Sequence, residues 1–535
     1  MRANPLDPWT QPASGDVPEP NVVRPVAVLD MGASALRLVV AESAPDGTMH
    51  VLEEASRGVL LGKETFTHGR IGAATMDAAL RALEGFRRIM DGYGVVRYRA
   101  VATSAVREAA NRDAFLDRVR LRTGLEVEVI DGSEENRLTY LAVRQSLRDH
   151  EALSAGNALL VEVGGGSGDL SFLRRGEPVQ SGTYALGSIR MRQSLASWHG
   201  THEQRMRLLR RHIHNVVDDI RREMPLREAT HFIALGGDMR FAAGRALADQ
   251  EAANGYRVLP RERFIAFYDE VINNDVEDLV EKYRLPIADA ETLVPALMAY
   301  RELLAETAAE HIVIPDASLR AGLLLDLVGA AAGRGFEDLR RQVLASATAF
   351  GEKYRYDATH ARNVATLALR LFDELKHETG LPERDRLLLE VAALLHDVGI
   401  FISLNGHHKH SFYILSSCEI FGLTQEDMLV VANVARYHRR SLPGKSHPGF
   451  MLLDRERRVD VMKLAAILRV ANALDADHMQ KVATVRILRD EEPWVLETEG
   501  AGDLTMERLA ALGRSDLFTE VFGRKLVFRE ASPAT

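Results

Sequence analysis

The sequence predicts two α/β lobes around a cleft, followed by an all-α domain and a small α/β C-terminal domain. Two observations support this prediction. One strand–turn–strand pattern occurs twice in the first third of the chain, and strand signals disappear after about residue 327 and return near residue 483. Because two copies of one supersecondary unit indicate repeated structure, we expect the first half to form two similar lobes.

The predicted domain boundaries follow these changes of pattern. They are 1–22 for a disordered leader, 23–146 for lobe I, 147–330 for lobe II, 331–480 for the all-α domain and 481–535 for the C-terminal domain. The leader is polar and proline-rich, and the chain has no run of about 18 apolar residues. We therefore expect a cytoplasmic protein without a membrane span.

The composition also limits the functions that are expected. The chain has 535 residues, of which 46% are hydrophobic and 27% charged, as in globular proteins. Its single cysteine, Cys418, excludes an intrachain disulfide. A formal net charge of −9 argues against bulk attraction to nucleic acid.

Lobe I opens with an apolar strand that ends in Asp30 and turns through Gly32 and Ser34 into a second strand. Glycine lets consecutive backbone N–H groups approach an anion, and serine adds a hydroxyl donor. Arg107 follows a later strand, and its planar guanidinium suits phosphate, although a surface ion pair with Glu108 is the alternative.

The segment that joins the lobes begins a helix with Glu134 and Glu135. Carboxylates at a helix N-terminus are stabilised by about 0.3 to 1 kcal/mol, so both can be simple caps. A carboxylate on a cleft floor can instead orient or deprotonate the water that attacks phosphorus. Position alone leaves both interpretations open.

Lobe II repeats the pattern, with Glu162 near the end of its first strand and Asp169 just before its second. A single glycine turn is weak evidence, but duplication with the acid in register favours a pair that holds a phosphoryl group beside a divalent metal. A later glycine turn in lobe II, at Gly236 and Gly237, can also close the cleft. The predicted phosphate-binding residues of lobe II are Gly164, Gly165, Gly166, Ser167, Gly236 and Gly237.

The all-α domain carries polar residues next to apolar helix faces. A lone histidine on such a face is more often a core residue, but a His-Asp pair with an earlier histidine and a later aspartate is typical of a metal site. We therefore predict a second candidate metal site, with the possibility of two ions. Its predicted ligands are His360, His396, Asp397 and Asp475, extended by His410 and His438.

Several segments together resemble the exopolyphosphatase and guanosine pentaphosphate phosphatase family, from about residue 25 to beyond 480. The matching segments are Asp30 to Leu38, Thr103 to Asn111, Ile130 to Leu138, Val161 to Asp169, Gly187 to Arg190 and Leu319 to Leu323. The resemblance implies two actin-like (RNase H-like) lobes, Glu135 as the catalytic base, and a homodimer. Residues 394–399 and 407–415 are similar to the HD-like helical domain of the long bacterial exopolyphosphatases.

The chain departs from this family pattern at its acids. It has Glu162 where the pattern has aspartate and Asp169 where the pattern has glutamate, and Ala33 and Ala35 replace polar residues. The exchange keeps both charges and moves each carboxylate by about one methylene. Because magnesium keeps several waters in its shell, water can compensate for this shift, although a reduced rate is also compatible with the exchange.

The leading hypothesis is a metal-dependent exopolyphosphatase, which removes the terminal phosphate of inorganic polyphosphate. Glu135 would activate water, Mg²⁺ or Mn²⁺ would lie at Glu162 and Asp169, and the basic residues Arg439 and Arg440 would guide the polyanion. Hydrolysis of guanosine pentaphosphate in the same cleft is the nearest alternative. The others are a metal phosphohydrolase in the all-α domain and a regulator that binds nucleotide or polyphosphate without hydrolysis.

Overall fold

The computed structural model describes residues 25–43, 49–196, 201–247, 255–331, 335–439, 441–489 and 492–531. The chain divides into two compact units, Met1–Asp338 and Leu339–Thr535, which we call unit 1 and unit 2. The predicted leader, 1–22, lies outside the described residues. Within the described ranges, none of the helices combines the length and the apolar character that crossing a bilayer requires.

The first sheet of unit 1 belongs to lobe I. Its strands are β1 (Val26–Met31), β2 (Ala35–Ser43), β3 (Met49–Gly58), β4 (Arg97–Ala102) and β5 (Glu128–Val129). Their order is β3-β2-β1-β4-β5, and β1 pairs antiparallel with β2 and parallel with β4. The central strand β1 is almost wholly buried, as its continuous apolar run predicts.

The second sheet belongs to lobe II and repeats this plan. Its strands are β6 (Asn157–Val163), β7 (Gly168–Arg174), β8 (Glu177–Tyr184), β9 (His231–Leu235), β10 (Tyr256–Pro260) and β11 (His311–Pro315). Their order is β10-β11-β9-β6-β7-β8, and β6 pairs antiparallel with β7 and parallel with β9. The predicted duplication is thus confirmed, because β1 and β6 occupy equivalent positions and carry equivalent turns at their ends.

The helices of unit 1 pack against these sheets through amphipathic faces. In one long helix, Met76, Leu80, Leu83 and Met90 are buried at helical spacing, so the face they form covers the first sheet. The helices are α1 (Leu61–His68), α2 (Ala73–Gly92), α3 (Ser104–Arg107), α4 (Arg112–Thr123), α5 (Gly132–Ser146), α6 (Glu151–Ser154), α7 (Ser188–Ala196), α8 (His202–Glu223), α9 (Gly237–Ala246), α10 (Arg261–Val271), α11 (Val276–Tyr283), α12 (Ile287–Ala305) and α13 (Leu319–Ala331), with a short 3-10 helix at Leu226–Glu228.

Unit 2 is helical over the segment for which an all-α domain is predicted. No strand occurs among the described residues between 335 and 481. The helices are α14 (Gly335–Lys353), which includes the boundary between the units, α15 (Ala358–Glu374), α16 (Lys376–Thr379), α17 (Glu383–Leu395), α18 (His407–Ser416), α19 (Gln425–Arg436), α20 (Pro448–Met451) and α21 (Arg455–Ala473), with a 3-10 helix at Val398–Phe401.

The C-terminal segment adds a three-stranded sheet to unit 2. It consists of β12 (Val482–Leu488), β13 (Trp494–Gly500) and β14 (Leu526–Glu530), in the order β12-β13-β14. Two helices, α22 (Thr505–Arg514) and α23 (Asp516–Phe522), stand where the sequence predicts one continuous helix over 506–522. The fully buried Arg469 of α21 donates from Nε to the carbonyl oxygen of Arg514, at the break between them, at 3.2 Å.

Candidate active site

The two glycine turns contain the same internal hydrogen bond. The amide of Gly32 donates to the carbonyl oxygen of Ala35 at 3.1 Å, and the amide of Gly164 donates to that of Ser167 at 2.9 Å. These two glycines therefore close the turns with their own N–H groups. An anion would have to be bound by the amides that follow them in each turn and by the hydroxyl of Ser34.

The turns of the two lobes lie close to each other. A Cβ atom on Gly165 would lie 3.0 Å from the Cβ of Ala33, and one on Gly166 would lie 2.1 Å from the Oγ of Ser104. Ala33 and Ser104 belong to lobe I, so glycine is required at these positions by the approach of the facing lobe. The structure thus brings together the phosphate-binding residues that the sequence predicts in both lobes.

A third turn lies at the end of β9. Gly236 has a φ of 96°, in the region that favours glycine, and Gly237 begins α9. The next residue, Asp238, is half-buried, and burial together with the nearby Asp289 carboxylate raises its pKa to about 7. This turn therefore adds a further acid to lobe II.

Glu134 and Glu135 stand at the start of α5, where Asp131 caps the helix by accepting from the amide of Glu134 at 3.0 Å. Glu134 accepts from Arg137 Nε at 2.6 Å and from Arg99 Nη2 at 2.8 Å. Burial opposes ionisation, but the two guanidiniums outweigh it and hold the pKa of Glu134 well below its ordinary range. Glu134 is therefore a permanently ionised structural carboxylate.

Glu135 has a different environment, although it is adjacent in sequence. Its side chain is 12% exposed and accepts from Arg107 Nη1 at 2.6 Å. Burial and, to a smaller extent, the Asp169 carboxylate raise the pKa of Glu135 to about 8, although Arg107 opposes them. A carboxylate with a pKa near neutrality can accept a proton from water.

The remaining predicted acids surround the same space. Asp30 and Asp169 are buried, and Asp169 accepts from Ser167 Oγ at 3.1 Å. Burial raises the pKa of Asp169. Glu162 is half-buried and accepts from Thr139 Oγ1 at 3.2 Å, and burial with the Asp169 carboxylate raises its pKa to about 7. These groups are close enough to disfavour one another's ionisation, which a bound cation would reverse.

Oxygen donors of this kind fit magnesium. Among the described residues, two groups of three side chains have ligand atoms close enough to hold one ion, and both groups lie in unit 2. The described part of the unit 1 cleft therefore does not offer three protein ligands to a single ion. Magnesium is usually bound by one or two carboxylates together with water and substrate phosphates. Glu162 and Asp169 match this pattern.

Two arginines lie near Asp30 that the sequence analysis does not assign to the site. Arg37 and Arg320 place Nη1 atoms 3.8 and 3.6 Å from Asp30 Oδ2. Burial raises the pKa of Asp30, and the two arginines oppose it. Both stand in segments that match the family pattern, but sequence spacing gives no indication that they converge on one aspartate.

In unit 2 the structure gathers His360, His396, Asp397 and His438, as the sequence predicts. Two of the predicted ligands lie outside these groups. Asp475 contacts His360 Nδ1 at 2.7 Å instead, and His410 is half-buried one helical turn beyond His407. His407, and not His410, belongs to the second group. His407 is the first residue of α18, and His410 lies three residues later, about 4.5 Å further along the helix axis and away from the other ligands.

The two basic residues predicted to guide a polyanion follow α19. Arg439 is exposed. Arg440 lies outside the described residues.

The chain is similar to known proteins over most of its length. The model of the Ppx/GppA phosphatase family matches residues 39–331, and the model of Ppx/GppA phosphatase domain III matches residues 342–520. A guanosine-5'-triphosphate,3'-diphosphate pyrophosphatase from Vibrio parahaemolyticus is 24% identical, over 78% of this chain and 81% of that protein. The protein of the same name from Pseudoalteromonas translucida is 25% identical, over 79% and 82%.

A solved structure shows the same fold for unit 1. An exopolyphosphatase from Cytophaga hutchinsonii superposes with a TM-score of 0.53 and 23% identity, over 57% of this chain and 98% of that one. At this level of identity the likeness concerns the fold alone. It confirms the predicted actin-like α/β architecture.

Proposed function

Because the chain belongs to the Ppx/GppA phosphatase family, and is therefore a hydrolase, we propose that its cleft removes the terminal phosphate of inorganic polyphosphate. The observation that supports this proposal is the position of Glu135. Its carboxylate interacts electrostatically with Asp169 and Asp30, the acids next to the two facing glycine turns, and burial with the Asp169 charge raises its pKa to about 8. Phosphate-binding turns and a neutral-range base are the two parts that hydrolysis of a phosphoanhydride requires.

In the proposed reaction, the turns of both lobes position the terminal phosphoryl group, and Glu135 accepts a proton from water as its oxygen attacks phosphorus. The new P–O bond forms as the bond to the bridging oxygen breaks, which releases orthophosphate and shortens the chain by one unit. Arg107 contacts Glu135 at 2.6 Å and holds its carboxylate in place. Most of the catalysis would then be positioning and charge stabilisation.

Glu162 and Asp169 are the residues proposed to hold a divalent cation, Mg²⁺ or Mn²⁺. Such an ion would neutralise the charge on the phosphoryl oxygens. Both acids are next to the second turn, and hard oxygen donors suit these ions. Removing the charge of Asp169 should therefore raise the magnesium concentration needed for half-maximal activity.

The test is phosphate release from long-chain polyphosphate with magnesium, comparing the unaltered protein with Glu135→Gln. This substitution keeps the shape of the side chain and removes the base, so the rate should fall by about 100-fold or more. His396→Ala is the matched control in unit 2 and should retain the rate. A rate for Glu135→Gln within a few-fold of the unaltered protein would contradict the proposal.

Guanosine pentaphosphate is the second candidate substrate, and a specific observation favours it. Two relatives that match 78% and 79% of this chain carry the name of that reaction. Its terminal phosphoanhydride needs the same turns and base, so the cleft alone does not choose between the substrates. The rate of phosphate release is measured with each substrate, and the two values of kcat/KM are compared. A higher kcat/KM for guanosine pentaphosphate than for polyphosphate would reverse our assignment.

Three further expectations stay predictions from the sequence. They are a homodimer, a cytoplasmic location, and guidance of the polyanion by Arg439 and Arg440. The last has a direct test, since Arg439→Ala with Arg440→Ala should weaken long-chain binding and reduce its salt dependence.

A further inference from the structure

We propose that unit 2 binds two divalent transition-metal ions that share Asp397 as a bridging ligand. The first ion would be held by His360, His396 and Asp397, and the second by Asp397, His407 and His438. This proposal is independent of the reaction in the cleft of unit 1. It rests on the geometry, the burial and the tautomers of these five side chains.

The five side chains come from four separate places in the helical part of unit 2. His360 lies in the first turn of α15, and His396 and Asp397 follow the end of α17. His407 begins α18, and His438 stands just after α19. Four of the five are nearly or fully buried, which is rare for polar side chains without a strong partner.

The second group has the dimensions of a metal-ligand triangle. His407 Nε2 lies 3.2 Å from His438 Nε2 and 3.2 Å from Asp397 Oδ1, and His438 Nε2 lies 3.4 Å from the same oxygen. Ligand atoms about 2.1 Å from an ion at tetrahedral angles are about 3.4 Å apart. The three atoms are therefore spaced as they would be around one ion.

The two oxygens of Asp397 face different histidines. Oδ1 faces His407 and His438, whereas Oδ2 lies 3.4 Å from His396 Nε2. A carboxylate that directs one oxygen to each group can bridge two ions. Its side chain is 17% exposed, so part of the centre can be reached from outside.

The tautomers of three histidines follow from their backbone contacts. Nδ1 of His396, His407 and His438 lies 2.8, 2.9 and 2.6 Å from the carbonyl oxygens of Ala393, Leu404 and Ala435. A carbonyl oxygen only accepts, so each Nδ1 carries the proton and each neutral ring directs a lone pair from Nε2 into the cluster. Two lone pairs 3.2 Å apart, on His407 and His438, require a positive species beside them.

One proton on His407 could satisfy that pair, but it would leave the first group unexplained. Nε2 of His360 and Nε2 of His396 are buried, and neither has a hydrogen-bond partner in the described structure. An unsatisfied buried acceptor costs about 1 to 3 kcal/mol, so two of them next to a carboxylate call for a ligand. A second cation accounts for both.

Further contacts orient the ligands. Asp475 Oδ2 lies 2.7 Å from His360 Nδ1, and Gln480 N donates to the other oxygen of Asp475 at 2.7 Å. A carboxylate behind a ligating histidine fixes the ring and raises its basicity. Ser411 donates to the carbonyl oxygen of His396 at 2.6 Å and accepts from Gly399 N at 3.0 Å, which ties α18 to the end of α17.

The ligand set also indicates which ions bind. Imidazole nitrogens suit zinc and iron and, with carboxylate oxygens, manganese, whereas magnesium prefers oxygen alone. Each ion would have three protein ligands, which leaves coordination positions for water. A cavity of about 300 Å³ borders His360, His396 and Asp397, so those positions on the first ion are accessible.

The test counts the metal bound to the full chain, purified without a histidine tag and carrying Glu162→Gln with Asp169→Asn to remove the cleft acids. After dialysis against Mn²⁺ or Zn²⁺ and gel filtration, metal analysis should give about two ions per chain. His407→Gln should reduce this to about one, and Asp397→Asn to near zero. His410→Gln, on the same helix but outside both groups, is the matched control and should retain two.

A second measurement does not depend on any unit 2 variant folding. Electron paramagnetic resonance of the Mn²⁺-loaded chain should show the spectrum of an exchange-coupled pair, because the two ions share a carboxylate. Less than about 0.2 ion per chain would show a hydrogen-bonded histidine cluster without ions. Equal metal content in the Asp397→Asn and His410→Gln proteins would show that the bound ions do not use Asp397, which also overturns the proposal. Two ions with no exchange coupling would overturn the shared ligand.

Discussion

Two adjacent carboxylates at the start of α5 have pKa values shifted in opposite directions, because the cations around them offset burial to different extents. Glu134 faces Arg99 and Arg137, so it stays ionised at any ordinary pH. Glu135 faces Asp169 as well as Arg107, and burial raises its pKa to about 8. Divergence of two neighbouring pKa values is how one site separates a structural acid from a catalytic one.

Arg107→Met should move the acid limb of the kcat/KM profile to higher pH. In the proposed reaction the ionised form of Glu135 is the active one, so activity should rise as the pH passes its pKa. Arg107 lowers that pKa by its charge and its hydrogen bond, so its removal should raise the midpoint by about one pH unit. Profiles are measured at one saturating magnesium concentration.

Arg107→Lys is the control for this change and should shift the limb less, because it keeps the charge. A higher KM with an unmoved limb in Arg107→Met would assign Arg107 to the substrate alone. That outcome would separate its phosphate-binding role from its role beside Glu135.

The glycine turns act as a pair, since each limits the space of the other. Each is closed by one internal hydrogen bond, and side chains at Gly165 and Gly166 would overlap residues of lobe I. The distance between the lobes at this point is therefore set by contact of the lobe II backbone with side chains of lobe I. A phosphoryl group held by both turns would be sensitive to small changes in that distance.

Gly166→Ala should lower kcat/KM for polyphosphate by about 100-fold, because the new Cβ would lie 2.1 Å from Ser104 Oγ and 2.5 Å from the ring of Phe66. Gly85→Ala is the matched control at a half-buried position of α2, where an added Cβ meets nothing within 4 Å. That control should keep full activity and gain up to about 1 kcal/mol of stability. Equal activity of the two variants would contradict the close approach of the turns.

The repeated elements were predictable from sequence because a strand, a carboxylate and a glycine turn are all local patterns. The break between α22 and α23 was not, since Arg469 enters it from α21, far away in the sequence. That His407 and not His410 joins the second group also depends on a contact between residues that the local pattern does not reveal. Both histidines fit the helix pattern, and only the position of Asp397 across the fold selects one of them.

Each of the two units contains its own candidate site, built from different donors. Unit 1 presents carboxylates and backbone amides, which suit magnesium and phosphate. Unit 2 presents imidazoles around one carboxylate, which suit transition metals. Net charge and composition gave no sign of this division, because they average over the whole chain. The positions of the ligands also depend on contacts with residues far away in the sequence, such as the contact of His360 with Asp475, 115 positions later.

Metal binding should stabilise unit 2, and Trp494 offers a local reporter. The chain has three tryptophans, so Trp9→Phe with Trp198→Phe leaves Trp494 alone. Trp494 packs edge-on against Phe518, with ring centroids 6.4 Å apart. Arg469 of α21 donates to Asp516 at the start of α23, which couples this region to the helices that carry the histidines.

An ion that binds only the folded unit at 100 times its Kd adds about 2.7 kcal/mol, so Mn²⁺ should raise the midpoint of the Trp494 fluorescence transition by about 5 to 10 °C. Magnesium at the same concentration should raise it much less, because nitrogen-rich sites bind it weakly. Asp397→Asn should abolish the manganese effect, since both ions lose a ligand, and His410→Gln should keep it. A Trp494 midpoint that Mn²⁺ leaves unchanged in the otherwise unaltered chain would mean that the buried histidines of unit 2 hold no ion.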